Sequence, residues 1–335
     1  MRNITAFAVL VIILHSIPVM TGIPGLSLLH SEEAEKYSFH AAPLFGIIQG
    51  RAEEIVYPGN NYRNDLLSEL LWNIEAILYY GMNLEFTPAE PLHTGGVFAE
   101  LSVKYGIPAE SGIMENRDWQ SYENKALTDY SRHDNYVDEI YFIDFRAGYS
   151  FPVKHIITIK PHIAFSYAHL GFSGRDGYGK YARPKEPYAP GLFYDIDDSP
   201  RREEFSGKVI SYSQDWMILA TGFSMGINFL EYFFFEAAFD ISPLIMCLAL
   251  DKHIGKNKLF KDLSIGGLYL EPRIALTFTA TRHMSVTLDA LYRNISGSRG
   301  YAYDRTLDTA LFFQNGESGA ALTLFDISLL VKVRL

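Results

Sequence analysis

The stretch YFIDFRAGYSF, residues 141–151, decides the fold class, because apolar and polar side chains alternate along it. Its odd positions are all apolar, whereas Asp144, Arg146, Gly148 and Ser150 occupy even ones. A period of two is typical of a β-strand with one face in apolar surroundings. The same alternation recurs in residues 157–167 and 325–335. The chain is therefore predicted to be built from strands.

The polar face of these strands carries charges of both signs, which is typical of the wet interior of a membrane barrel. Connections after even-numbered strands are mostly short, and those after odd-numbered strands are long, at 107–137, 171–207, 251–262 and 299–317. We therefore expect an all-β fold, a ten-stranded antiparallel transmembrane β-barrel with long extracellular loops. The ten predicted strands are roughly 38–57, 67–86, 95–106, 138–151, 155–170, 208–229, 232–250, 263–280, 283–298 and 318–335.

The N-terminal residues resemble a secretory signal peptide rather than part of the barrel. Arg2 gives a positive start, residues 6–14 form an apolar run, and small residues follow up to Gly22. This order of regions is that of a cleaved export signal, and the apolar run is too short to span a bilayer. We expect residues 1–22 to be the signal peptide and residues 23–335 a single β-barrel domain.

The amino-acid composition limits the kinds of ligand that the protein is expected to bind. The formal net charge of −10 argues against nucleic acid as a partner and favours a cationic ligand. Aromatic residues make up 14% of the chain, which suits the aromatic girdles of a barrel. The single cysteine, Cys247, is expected to be a packed residue. No Cys/His spacing suggests a metal site, the acidic group at 195–198 is read as a solvated loop, and no cofactor is expected.

Strand parity brings two polar segments to the same end of the barrel. The connection after the third strand contains Asp118, and Asp251 and His253 follow the seventh strand directly. An Asp and a His two residues apart on an extended chain point to the same side. The carboxylate can then orient the imidazole and stabilise its protonated form while the imidazole takes a proton from water.

Several ordered motifs give the sequence its resemblance to a known family. These are GRAEEIVY at 50–57, SELLW at 68–72, MENRDW at 114–119, SRH at 131–133 and DKH at 251–253. They resemble the omptins, ten-stranded proteases of the bacterial outer membrane that hydrolyse peptides at basic sites. The resemblance runs from about residue 46 to residue 335 in strand order and loop placement.

The resemblance implies hydrolysis by a water molecule without a covalent intermediate, in a cleft that faces the cell exterior. It implies peptide or protein substrates with basic residues, and an outer-membrane lipid as an activating partner, although no basic lipid-binding motif stands out. The implied residues are His253 as general base, Asp251 as its orienting partner, Asn116 and Asp118 as the water-holding pair, Glu54 and Asp129 as substrate-binding acids, and Ser131 and His133 as supporting residues.

Two positions depart from the family pattern. Asn116 stands where the family has the first Asp of its pair, and Ala249 stands where it has a second acid of the substrate pocket. An amide resembles a protonated carboxyl in shape but cannot accept a proton, so the sequence leaves open whether activity survives. The alternative hypotheses are a catalytically inactive barrel that serves binding or adhesion, and a pore. Ala249 is expected to leave Glu54 alone to hold a basic side chain.

Overall fold

The computed structural model describes residues 36–58, 65–121, 125–185, 192–198, 200–255, 257–306 and 312–335, with the side chains of 303–306 and 312–317 excepted. The predicted signal peptide, residues 1–22, lies outside the described residues. None of the described residues lies in a helix long and apolar enough to cross a bilayer. The fourteen strand segments are β1 (Tyr37–Val56), β2 (Ser68–Pro88), β3 (Gly96–Gly106), β4 (Ala109–Asp118), β5 (Asp129–Val153), β6 (Ile157–Tyr181), β7 (Arg201–Glu204), β8 (Lys208–Leu230), β9 (Phe233–Ser242), β10 (Ile245–His253), β11 (Lys258–Ile265), β12 (Leu268–Thr279), β13 (Met284–Thr306) and β14 (Phe312–Arg334).

These segments form one closed antiparallel ring. β1 pairs with β2 on one side and with β14 on the other, so the sheet has no free edge there. Four of the barrel strands consist of two segments each, namely β3 with β4, β7 with β8, β9 with β10, and β11 with β12. Counting each of these pairs once gives ten barrel strands. The predicted ten-stranded antiparallel barrel is confirmed.

The strands are longer than predicted, and the predicted long loops are correspondingly shorter. The sequence predicts a loop at 107–137, but β4 occupies Ala109–Asp118 and β5 begins at Asp129. The connections are 57–67, 119–128, 182–200, 254–257 and 307–311, and we call this end of the barrel the long-loop end. Outward side chains such as Glu115 and Arg132 are polar here. The period of two therefore disappears from the sequence although backbone pairing continues.

The outer wall carries an apolar girdle. Leu78, Ile163 and Phe223 point outward and expose 59%, 61% and 55% of their surface, as side chains facing lipid do. Beyond the girdle, towards the long-loop end, the outward positions become charged, for example at Arg51 on β1 and Arg299 on β13. The ends of the strands therefore project past the membrane-spanning part of the barrel.

The interior of the spanning part is filled by ion pairs. Arg146 on β5 donates to Asp240 on β9 at 2.9 Å and to Glu271 on β12 at 2.6 Å. Arg293 on β13 donates to Glu271 at 2.6 Å and to Asp144 at 2.8 Å. All five side chains are buried. Pairing with hydrogen bonds on both partners is what makes buried charges tolerable.

An apolar layer lies on top of these ion pairs, towards the long-loop end. The Trp72 ring stacks on Phe172 and Tyr212 with ring centroids 5.5 Å apart in each case. Met114 and Ile48 are buried in the same core cluster. Side chains thus occupy the middle of the lumen in two tiers, and this packing counts against the hypothesis of an open pore. The aromatic tier also supports the polar cleft described next.

Candidate active site

The first wall of the cleft is formed where β4 ends beside the start of β2. Ser68 Oγ donates to Asp118 Oδ1 at 2.5 Å and lies 3.3 Å from Asn116 Oδ1. Asn116 Nδ2 donates to Asp118 Oδ2 at 3.1 Å. Ser68 is paired with Asp118 in the β2–β4 register, so backbone pairing places these three side chains on the same inner face. Glu115, which precedes Asn116 in the sequence, binds Arg117 and Tyr130 instead.

The strand β5 extends this wall. Asp129 is paired with Asp118 and Ser131 with Asn116, so both predicted residues lie beside the carboxylate–amide pair. His133 is buried; its Nδ1 donates to the carbonyl oxygen of Asp176 at 2.6 Å, and its Nε2 lies 3.1 Å from Ser131 Oγ. Burial lowers the pKa of His133. The imidazole is therefore held neutral, with Nε2 accepting from the Ser131 hydroxyl, which fits a supporting position.

The second wall is formed by the end of β10. His253 Nε2 lies 2.6 Å from Asp251 Oδ2; the Asp251 side chain is 3% exposed and that of His253 is 28% exposed. The edge of the Phe260 ring on β11 packs against the His253 ring, with centroids 5.8 Å apart. An imidazole that donates Nε2–H to a buried carboxylate keeps Nδ1 as its proton acceptor. Such an arrangement can orient an imidazole to take up a proton.

Glu54 on β1 links the two walls. Its side chain is buried, and burial raises its pKa well above the ordinary value, with further contributions from the negative charges of Asp251, Asp262 and Asp118. Asp251 belongs to one wall and Asp118 to the other. Glu54 is therefore close enough to both walls for its carboxyl to interact with the charges of each, at the long-loop end of the barrel.

The order of these elements along the chain is that of a known family. The model of the omptin family matches residues 35–333, which is most of the chain. The chain belongs to the omptin family. Its fold is similar to that in the crystal structure of the outer membrane protease OmpT from Escherichia coli, with a TM-score of 0.77 and 15% identity, over 89% of this chain and 97% of that one. Because the two sequences are only 15% identical, this similarity is evidence for a shared fold alone.

Other solved barrels match more loosely. The toluene transporter TodX from Pseudomonas putida has a TM-score of 0.31 and 8% identity, over 89% of this chain and 90% of that one. The attachment protein Ail of Yersinia pestis has a TM-score of 0.24 and 10% identity, over 88% and 99%. Neither value carries an argument about function. A search of curated proteins by sequence finds no match. Family and fold identify a bacterial outer-membrane β-barrel.

The structure brings all eight predicted site residues of this omptin to the long-loop end, on the inner faces of their strands. Two further residues of the cleft were not predicted. Ser68 lies in the SELLW motif, and its role follows only from the pairing of β2 with β4. Asp262 on β11 is paired with Ala249, the position that lacks the family acid. The register of the β10–β11 hairpin is the signal that would have found it.

The acidic residues at 195–198 and the single cysteine are the remaining sequence features that bear on ligand binding. No group of three or more His, Cys, Asp or Glu residues within the described ranges is arranged to hold a metal ion. At 195–198 the Asp197 amide donates to the Asp195 carboxylate at 3.1 Å, which is a local turn in an exposed loop. Cys247 is buried in the core, in agreement with its prediction as a packed residue.

Proposed function

We propose that this omptin is an endopeptidase that hydrolyses peptides near basic residues, with its cleft facing the cell exterior. The observation that carries the proposal is the 2.6 Å contact between His253 Nε2 and Asp251 Oδ2, in a cleft whose other wall holds Asn116 and Asp118. In this proposal the base and the water-binding pair act on a peptide bond from the two walls of the cleft. The alternation of short turns with longer connections favours the long-loop end as the outer one.

In the proposed reaction a water molecule held by Asp118 and Asn116 attacks the carbonyl carbon of the peptide. His253 Nδ1 takes one proton from that water as the new C–O bond forms, and the carbonyl oxygen becomes negative. The carbonyl then re-forms, the C–N bond breaks, and His253 returns the proton to the leaving nitrogen. Asp251 stabilises the imidazolium in the interval, as the buried carboxylate of a catalytic triad does.

The geometry at Asn116 supports activity despite the missing carboxylate. Two neighbouring carboxylates share one proton, because both cannot ionise cheaply. Asn116 Nδ2 donates to Asp118 Oδ2 at 3.1 Å, which is the hydrogen bond that the protonated member of such a pair would make. Asp118 can then remain ionised and accept a proton of the bound water. In this proposal the residue at position 116 only donates a hydrogen bond to Asp118 and transfers no proton, so an amide is sufficient there.

The acidic side chains of the cleft support the preference for basic substrates, because a cation favours their ionised form. We assign the basic side chain before the scissile bond to Glu54, which interacts with the charges of Asp251 and Asp118, and the residue after it to Asp129, which is paired with Asp118. Carboxylates in a partly desolvated cleft attract cationic peptides and raise their local concentration. The net charge of −10 acts in the same direction at longer range.

The experiment uses the barrel refolded in detergent and peptides with Arg-Arg, Arg-Lys or neutral pairs. His253→Ala is expected to lower kcat/KM for the Arg peptides by about 10²-fold or more, since a general base contributes on that scale. His169→Ala is the matched control. His169 Nδ1 lies 2.8 Å from Asp215 Oδ1 in a second His–Asp pair, but on the outer wall. It is expected to leave cleavage unchanged.

The alternative function is a catalytically inactive barrel for binding or adhesion, and Asn116 is the observation that favours it. Wild-type protein that cleaves none of the peptides, with and without added outer-membrane lipid, would support this alternative and reject the protease. Cleavage that appears only with lipid would assign the lipid an activating role. Equal loss in His253→Ala and His169→Ala would show that the proposed base has no special part.

A further inference from the structure

Asp262 stands across a strand pair from the position where the cleft lacks an acid. In the β10–β11 register Ala249 is directly opposite Asp262, and Asp251 is opposite Phe260. Side chains of directly opposite residues lie on the same face, with Cβ atoms about 4.5–5.5 Å apart. A carboxylate on Asp262 therefore reaches nearly the same space as one on residue 249 would. Asp262 points inward like Asp251, and its surface is only 8% exposed.

Three carboxylates of this cluster have an oxygen atom without a partner. Within the described part of the chain, Glu54 Oε2, Asp251 Oδ1 and Asp262 Oδ1 are buried and make no hydrogen bond. Glu54 and Asp251 are each 3% exposed. Elsewhere in this barrel buried carboxylates are met by arginine or lysine, as Glu271 is by Arg146 and Arg293. A buried carboxylate oxygen without a donor is costly unless a ligand supplies one.

We propose that Asp262 is a specificity-determining residue of the cleft, which binds a cationic substrate side chain together with Glu54 and takes over the task that Ala249 cannot perform. This inference rests on the proposed function, because it assigns a residue to the same cleft. A guanidinium group suits the pair best, since its planar fork of five N–H donors can serve two carboxylates at once.

The chemistry of the cluster points to an exchangeable cation rather than a resident metal. Among the described residues, no group of ligands is arranged for a metal ion. Burial, and then the negative charge of Asp251, raise the pKa of Asp262 to about 7. Without a ligand the cluster therefore holds protons that an incoming cation displaces. A cation that binds between these groups relieves their mutual repulsion, and the cluster gains most when the ligand carries a positive charge.

The test compares two peptides that differ only in the residue before the scissile bond, arginine in one and norleucine in the other. Asp262→Asn is expected to lower the ratio of kcat/KM values, arginine over norleucine, by about 10- to 100-fold, which is the range for hydrogen bonds between charged groups. The exchange Ala249→Asp with Asp262→Ala moves the carboxylate across the strand pair and is expected to restore the ratio to within a few fold. Glu53→Gln is the matched control, because Glu53 adjoins Glu54 but pairs with Arg51 on the outer face.

A binding measurement separates this inference from the proposed function. In the His253→Ala background, titration calorimetry gives the Kd of the arginine peptide with a hydroxyethylene group in place of the scissile amide. The inference expects Asp262→Asn to weaken this binding about 10-fold or more and to leave the norleucine analogue unchanged. That result without any wild-type cleavage would reject the protease and keep the cation site. Cleavage whose arginine preference is unchanged in Asp262→Asn, or equal losses for both peptides, would overturn the role of Asp262.

Discussion

Asn116→Asp places a second carboxylate in the water-holding pair, and the structure allows its effect to be estimated. The side-chain nitrogen of Asn116 lies 3.1 Å from Asp118 Oδ2. Two unit charges at that distance repel by about 5 kcal/mol at an effective dielectric constant of about 20, which corresponds to three to four pKa units. Both side chains are partly exposed, and solvent screening reduces the shift to about two units. The new pair should therefore hold one proton up to roughly pH 6.

The expected result is a pH-dependent ratio of activities. Below about pH 6 the introduced carboxyl is protonated and donates to Asp118 as the amide does, and the kcat/KM of the variant should match the wild type within about threefold. Above that pH both carboxylates are ionised and repel the negative oxygen of the tetrahedral intermediate, so the ratio of variant to wild type should fall. The ratio removes those effects of pH that are the same in both proteins.

The assay is the rate of cleavage of one Arg-Arg peptide by both proteins from pH 5 to pH 8.5, under identical detergent and lipid conditions. A ratio that stays constant over this range would refute the electrostatic reasoning. A wild type that is silent at every pH, with activity present only in Asn116→Asp, would refute the view that the amide substitutes for a protonated carboxyl. It would show a disabled protease on an intact barrel.

Two further predictions concern stability and pH. Arg293→Leu removes one buried charged donor from each of Glu271 and Asp144, and should lower the free energy of unfolding in urea by about 3–5 kcal/mol. Arg299→Leu on the exposed outer wall should cost less than about 1 kcal/mol, and equal losses in the two variants would contradict this expectation. The arginine-over-norleucine selectivity should rise as pH increases through about 7, where Asp262 ionises; a rise that persists in Asp262→Asn would assign the titration to another group.

Asp262 also couples the stability of the barrel to pH. Its pKa in the folded protein is raised above the ordinary value of 3.8 to about 7. Between these values the folded protein binds the proton more tightly than the unfolded chain does. Asp262 therefore lowers the stability of the unliganded barrel as pH rises through this window. Cation binding gains over the same range, so a bound arginine peptide should stabilise the protein most at high pH.

Much of the architecture could be predicted because the alternation of apolar and polar residues and the lengths of the connections after odd and even strands can be read directly from the sequence. Asp144 and Arg146 alternate with lipid-facing residues. This pattern identifies a membrane-spanning strand even when the residues with which the strand pairs are unknown. Strand ends could not be predicted in the same way, because outside the membrane both faces are polar. The stretch around Glu115 continues to pair with β5 although its sequence shows no apolar period.

In the candidate site, too, some residues could be predicted from the sequence and others could not. Asp251 and His253 could be paired from sequence, since two residues on one strand always share a face. Asp262 could not, because its place depends on how many residues the turn at 254–257 contains, and one residue more or fewer would turn its side chain to the outer wall. Local spacing thus predicted contacts within a strand, and only the folded sheet revealed those between strands.

The ion pairs inside the barrel also bear on how the ring assembles. Arg146 and Glu271 are 125 residues apart in sequence, and they meet only when the barrel closes in its native register. A slip of one residue in any of these strands would direct an arginine or a carboxylate into lipid, at a cost of about 2–4 kcal/mol for a basic side chain at the bilayer midplane. The charged interior thus favours the native register, because each misaligned strand raises the free energy of the barrel.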